Sequence, residues 1–268
     1  MTQTSTAYHQ AIWLSDLHLG EPHCRAEYLL AFLEKHQAEH LFLVGDVVDM
    51  QALTRRQYWP ESHQKVLALL CQRARSGCHV VYIPGNHDMP MRQYAGGLFD
   101  CIEIHQQYLY HSPYHGRLLL LHGDEFDRQL CSSKLENWFG DKAYDLVLWL
   151  NQLWNLGRRL LGLPYQSVAR MLKRCSSKAE RAMGRFRQAA LARVLAEQVD
   201  GIVCGHIHLP ELLNLQGKLY INTGDWVENC TAVIEHSDGR LELSHFSEAK
   251  KPLSRLVPQR AVAMAKCS

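Results

Sequence analysis

Five short motifs hold the residues of this chain that could do chemistry: Asp16-Leu17-His18, Gly45-Asp46, Gly85-Asn86-His87-Asp88, His122-Gly123-Asp124 and Gly205-His206-Ile207-His208. Asp16, His18, Asp46, Asn86, His122, His206 and His208 together offer two carboxylates, one amide oxygen and four imidazoles. Such a mixture suits a pair of divalent first-row metals better than Ca²⁺ or Mg²⁺, which prefer oxygen ligands. Asp46, beside its glycine turn, is the natural carboxylate to bridge two ions. Two metals roughly 3.5–4 Å apart can hold a bridging hydroxide and clamp phosphoryl oxygens for an in-line displacement. One D-x-H or H-x-H alone says little, because a histidine at a strand end is more often hydrogen-bonded structure than a ligand. The ordered set of five is what points to a two-metal site.

Only a fold that gathers strand ends can bring such distant motifs together. Gln10–Leu14, His40–Val44 and His79–Ile83 are apolar runs that read as buried strands, each ending on a motif. Helical spacing fills the gaps, from about Arg25 to His36 and from about Glu61 to Arg75, where Ser76-Gly77 stops it. This alternation predicts parallel strands joined by crossovers, and such sheets collect ligands beyond the carboxyl ends of their strands. Short strands are expected at Cys101–His105, Tyr108–His111 and Arg117–Leu121. They resume at Gly201–Cys204, Glu211–Leu215, Lys218–Asn222, Thr231–Glu235 and Arg240–Phe246. Between them the pattern is helical. The expected class is α/β, with residues 1–127 and 200–249 as the core, 128–199 as an inserted helical cap and 250–268 as an exposed extension.

At 268 residues and 47% hydrophobic, the chain can bury one large core with an elaboration. Its first nine residues lack a basic stretch followed by an apolar one, and no apolar run reaches the ~20 residues of a membrane span. The nine cysteines form no C-x-x-C pair and read as reduced thiols of a cytosolic protein. Net charge is +2 but uneven: Arg128 to Val199 holds 13 Lys/Arg against 5 Asp/Glu, a local +8. A basic segment on an acidic body suggests an anionic partner. No basic strand surface is interleaved with aromatics, so nucleic acid is not expected as a partner.

The motifs D-x-H, G-D, G-N-H-D, H-G-D and G-H-x-H, in this order from about Ile12 to Glu235, resemble the calcineurin-like metallophosphoesterase superfamily. The resemblance implies two packed mixed β-sheets flanked by helices, with metals at the strand ends. Carried over, it implies that Asp16, His18, Asp46 and His208 bind one metal, and Asp46, Asn86, His122 and His206 the other. It implies two divalent ions as cofactors, with Mn²⁺ first and Fe²⁺, Zn²⁺ or Co²⁺ acceptable to the same donors. It further implies that His87 contacts the phosphoryl group and acts as general acid, with Asp88 orienting it. Asp124 is left a supporting role, since the ligand sets are already full.

Within the superfamily the layout is similar to the UDP-2,3-diacylglucosamine pyrophosphatase group of lipid A biosynthesis. The early Asp16-Leu17-His18-Leu19, a cap directly after His122-Gly123-Asp124, and Gly224-Asp225-Trp226 carry that resemblance. One residue departs: His87 stands where that group has arginine. Leu146, Trp149, Leu150, Leu153, Leu160 and Leu161 form an apolar stripe in the cap, followed by a basic run from Arg170 to Arg187. Apolar and cationic surface beside a phosphoester site suits an amphiphilic phosphorylated small-molecule substrate, with peripheral contact to an anionic membrane from the cytoplasmic side. The rival readings are a phosphodiesterase or phosphatase acting on nucleotides or phosphoproteins, and a metal-bound scaffold without catalysis.

Overall fold

The computed structural model describes residues 7–127, 154, 157–158, 177–246 and 254–256. Strand β1 (Ala7–Leu14) pairs in parallel with β2 (His36–Val44), and β2 in parallel with β3 (His79–Ile83). Their apolar runs are continuous because both faces are covered. Ile12, Leu14, Leu41, Leu43, Val80 and Tyr82 face one side, while Ala11, Trp13, Phe42, Val44, Val81 and Ile83 face the other.

The first side is covered by the crossover helices. Helix α1 (Ala26–Lys35) buries Leu29, Phe32 and Leu33, one stripe at helical spacing. A short helix α2 (Met50–Arg55) follows, and then α3 (Glu61–Arg75) begins after Pro60 and buries His63, Val66, Leu70 and Ala74.

Strands β4 (Leu98–Phe99) and β5 (Ile102–Ile104) extend this sheet at one edge. At the other edge stand β11 (Thr231–Glu235), β12 (Leu241–His245) and β13 (Ser254–Leu256). The full order is β13-β12-β11-β1-β2-β3-β5-β4. The second sheet has five strands: β6 (Tyr108–Ser112), β7 (Gly116–Leu120), β8 (Gly201–Cys204), β9 (Glu211–Leu215) and β10 (Lys218–Asn222). They run in the order β6-β7-β8-β10-β9, with β7, β8 and β10 parallel. Trp13, Phe42, Leu118, Leu120, Val203 and Ile221 fill the space between the sheets. Helix α4 (Ser177–Ala196) covers the outer face of the second sheet with Phe186, Ala190 and Val194, one helical turn apart. The class is α/β, as the alternation of strands and helices predicts, and the two mixed sheets flanked by helices are what the family resemblance implies.

Three local expectations need revision. Strand β2 begins at His36, directly after α1, four residues before the apolar run that reveals it. Helix α2 carries no apolar stripe; Asp49 starts it by accepting from Ala52 N at 2.7 Å. The extension is not wholly exposed, since Ser254–Leu256 pairs antiparallel with β12. That pairing covers backbone groups which an open sheet edge would leave unpaired.

Most of the expected cap, including its apolar stripe, lies outside the described residues. Its last part is α4. Among the described residues no helix is long and apolar enough to cross a membrane. Cys24, Cys71, Cys78, Cys101, Cys204 and Cys230 are free thiols.

Candidate metal centre

The motifs follow the ends of β1, β2, β3, β7 and β8, and there the backbone turns back sharply. Asp16, His18, Asp46, His206 and His208 hold φ of 52°, 50°, 53°, 69° and 51°. Left-handed backbone costs a non-glycine residue on the order of 1–2 kcal/mol, so strain gathers where the candidate ligands sit. Neighbouring chain enforces it: Asp16 N donates to Gly45 O and His18 N to Asp46 O, both at 2.9 Å, and Trp226 N donates to Asp16 O at 3.0 Å. Gly85 and Gly205 are required sterically. A Cβ on the first would overlap the Asp46 carboxylate, and one on the second the Asp16 carboxylate.

The side chains converge in two groups. His208 Nε2 lies 3.2 Å from Asp16 Oδ1 and 3.4 Å from His18 Nε2. His122 Nε2 lies 3.3 Å from Asp46 Oδ2 and 3.1 Å from Asn86 Oδ1. One ligand atom from each of Asp16, His18 and His208 falls within 4.8 Å of the others, and the same holds for Asp16, Asp46 and His122. Asp46 Oδ2 is also 4.0 Å from His18 Nε2. Both carboxylates therefore stand between the two groups.

Proton positions show what this arrangement lacks. His122 Nδ1 bonds Val44 O at 3.1 Å, and His18 Nδ1 bonds Asp49 Oδ2 at 2.9 Å. Carbonyl and carboxylate oxygens only accept, so each ring carries a proton on Nδ1, and the neutral ring turns an Nε2 lone pair inward. Those lone pairs face the oxygens of Asp46 and Asn86, and the buried Asp16 Oδ1 accepts no hydrogen bond. Acceptors that converge in this way require cations, either protons on Nε2 or metal ions.

The local field agrees. Burial alone would lower both histidines. Instead Asp46 pushes His122 up to about 10, and the Asp49 bond together with Asp46 and Asp16 pushes His18 up to about 9. Burial works to raise Asp16, yet His208 holds it down to about 2. A field that draws protons onto imidazoles draws divalent ions equally well. The residues fit a dinuclear divalent metal site.

His206 stands beside the cluster and engages Asp127 through one ring nitrogen. Its Nε2 bonds Asp127 Oδ2 at 2.8 Å, and its backbone N donates to Asp16 Oδ2 at 3.1 Å. The ring stays 5.1 Å from the His122 ring, beside the cluster and outside both triads. The reason is local: Asp127, one turn past His122-Gly123-Asp124, presents an acceptor on the outer side of the ring.

Residues 11–210 match the family model described as calcineurin-like phosphoesterase. The chain belongs to this family. It is a metal-dependent phosphoesterase. No curated protein matches the sequence.

Among solved structures, the phosphoesterase is similar to Yfce, a phosphoesterase from E. coli, with 15% identity and a TM-score of 0.49 over 93% of this chain and 99% of that one. It is also similar to vacuolar protein sorting 29 from Cryptosporidium parvum, with 12% identity and a TM-score of 0.48 over 92% and 97%. A third is a single mutant of Vps29 from Entamoeba histolytica, with 12% identity and a TM-score of 0.46 over 92% and 97%.

Two further residues shape the centre of the phosphoesterase. His87 Nδ1 lies 2.9 Å from Asp49 Oδ2, the same oxygen that holds His18 Nδ1. Asp49 thus joins the ligand cluster to His87, a link that the five motifs did not reveal. The only sequence signal is its place three residues after Asp46, and an aspartate there also reads as a plain helix cap. His18, Asp49 and His87 also fall within 4.8 Å of one another, with Asp49 Oδ2 lying 2.9 Å from Nδ1 of each ring.

Asp88 does not orient the His87 ring. Fully buried, it accepts from Val47 N at 2.7 Å, from Gly85 N and from the Tyr82 hydroxyl. It fastens the Asp46 and Asn86 loops to each other. Burial raises its carboxyl, with Asp46 adding to the effect. Asp124 accepts from Arg92 Nη2 at 2.7 Å, and Arg92 Nε donates to Pro84 O at 3.2 Å. Asp225, in the Gly-Asp-Trp stretch, caps its own turn through Val227 N and stands 3.9 Å from His208 Nδ1.

Proposed function

We propose that the chain hydrolyses the pyrophosphate or a phosphodiester bond of a small amphiphilic substrate resembling UDP-2,3-diacylglucosamine, acting in the cytoplasm at the inner face of the membrane. The observation that carries the hydrolytic reading is the joining of the ligand cluster to His87 through Asp49. The lipid substrate is supported by the motif order, by Gly224-Asp225-Trp226 and by the basic, apolar composition of the segment after His122-Gly123-Asp124.

Asp16, His18, Asp46 and His208 would hold one ion, and Asp46, Asn86, His122 and His206 the other, with Asp16 close to both. Bound there, two divalent ions supply a nucleophile at neutral pH and neutralise the phosphoryl oxygens. Mn²⁺ is the first choice, and Fe²⁺, Zn²⁺ or Co²⁺ suit the same donors.

The protein's own contribution lies in the protons. Asp49 Oδ2 stands 2.9 Å from His87 Nδ1 and so leaves Nε2 as the position from which a proton can pass to the leaving oxygen. His87 is about one-third exposed, enough for a substrate to reach it. Asp88 keeps His87 in place through the backbone. The Asp46 and Asn86 loops cannot separate while its carboxylate binds Val47 N and Gly85 N.

Incubating the Mn²⁺-loaded protein with UDP-2,3-diacylglucosamine tests the proposal by release of UMP. Turnover of an aryl phosphodiester without turnover of the lipid would retain the chemistry and reject the substrate. Failure on both with Mn²⁺ and with Zn²⁺ would reject the enzyme in favour of a scaffold.

A further inference from the structure

A cavity of about 550 Å³ opens beside the centre, with His122 as its inner wall. Its volume lies within the roughly 300–1,000 Å³ typical of small-molecule sites. Arg92, His105, Gln106, Gln107, Asp124 and Glu125 line the rest. Three separate segments supply these residues: the turn after His87, the strand connection after β5, and the loop after His122.

The chemistry of the lining narrows what could enter. Among the described residues its wall is mainly polar, with Ala95 as the aliphatic side chain, so an acyl chain would strip water from amides and carboxylates without replacing their hydrogen bonds. A second phosphate is also disfavoured. Each carboxylate already has a guanidinium, Asp124 with Arg92 at 2.7 Å and Glu125 with Arg193 at 4.0 Å, so neither arginine is free to pair with an added phosphate. What such a wall recognises is an uncharged group rich in hydroxyls, which can donate to the carboxylates and exchange hydrogen bonds with the amides. Ala95 and Gly96 keep the cavity open, and a Cβ on Gly96 would meet nothing within 4 Å. Arg92 is well placed to fix such a group relative to the metals. It bonds Pro84 O, two residues before Asn86, and Asp124, two residues after His122.

We infer that this cavity is the subsite for a glycosyl or ribosyl group esterified to the scissile phosphate, read by Gln106, Gln107 and the Arg92–Asp124 pair. The inference rests on the phosphoester reading and not on the lipid substrate. The test compares thymidine 5′-(p-nitrophenyl phosphate) with bis(p-nitrophenyl) phosphate, two diesters that release the same phenol and differ in the retained group. The Mn²⁺-loaded wild type is expected to favour the thymidyl ester in kcat/KM by at least about tenfold.

Gln106→Leu should reduce that ratio by about three- to tenfold, the value of one neutral hydrogen bond. Ala95→Phe, which fills the cavity, should bring it near unity. A ratio between substrates is unaffected by a change in the folded fraction. Equal rates on both esters in the wild type, or a preference that survives both substitutions, would overturn the subsite. No turnover of either ester with Mn²⁺ or Zn²⁺ would overturn the phosphoester reading beneath it.

Discussion

Replacing Asp49 by Asn separates the roles that converge on this residue. Its Oδ1 caps α2 through Ala52 N at 2.7 Å, and asparagine caps a helix about as well as aspartate. The fold should therefore survive. Its Oδ2 is different, because it pairs with His18 Nδ1 and lies against His87 Nδ1, both at 2.9 Å. An amide NH₂ in that position donates, and two Nδ1–H groups cannot accept from it. Each ring must then move its proton to Nε2 or lose its partner. For His18 the shifted proton occupies the inward lone pair, which predicts a 10–100-fold loss of metal affinity, the usual consequence of removing a ligand's supporting partner. For His87 it removes the carboxylate that lies 2.9 Å from Nδ1 and positions the ring, which predicts a loss of about 10–100-fold in rate where the leaving group needs a proton.

The assay compares leaving groups at saturating Mn²⁺. With p-nitrophenol, which leaves without a proton, Asp49→Asn should lose less than about tenfold in kcat. With an alkyl alcohol, which needs one, the loss should reach about 10–100-fold beyond that. Equal losses for both leaving groups, with metal content unchanged, would refute the proton role of the Asp49–His87 pair.

Other substitutions follow from the same geometry. Asp46→Ala should abolish turnover and reduce metal content measured by mass spectrometry, whereas His87→Ala should retain the metal and lose mainly kcat; full activity of the latter would remove His87 from the mechanism. Gly205→Ala should drive a methyl group into the Asp16 carboxylate and lower metal affinity by at least about tenfold, with the Tm falling alongside.

Far from the metals, burial and the neighbouring His36 and His236 lower His9 from 6.5 to about 4. The folded state thus favours neutral His9, so its contribution is complete above about pH 6.5 and lost as pH falls toward 4. Between pH 7.5 and pH 5 that amounts to ~2 kcal/mol. His9→Phe, which keeps a ring near the His36 ring 5.2 Å away, should flatten the pH dependence of the urea midpoint, and an unchanged slope would assign it to other groups.

The alternation of apolar runs and helical stripes in the sequence determined the α/β class, because parallel strands buried on both faces leave a continuous apolar signature. Five motifs at strand ends determined the ligand types, since few residues bind metals and each followed a run that had to stop. Fold and metal chemistry were legible for the same reason: both are written in local residue type and spacing.

What remained depends on contacts between distant segments. Asp49 resembles a helix cap until His18 and His87 are seen on its other oxygen. Asp88 follows His87 in sequence, yet burial turns its carboxylate toward the Asp46 loop. His206 carries the right ring, and which of its nitrogens meets Asp127 is set by the fold. Strand β13 is too short and polar to announce itself until β12 offers an edge. Residue identity limits what a side chain can do, but only packing decides which partner it meets.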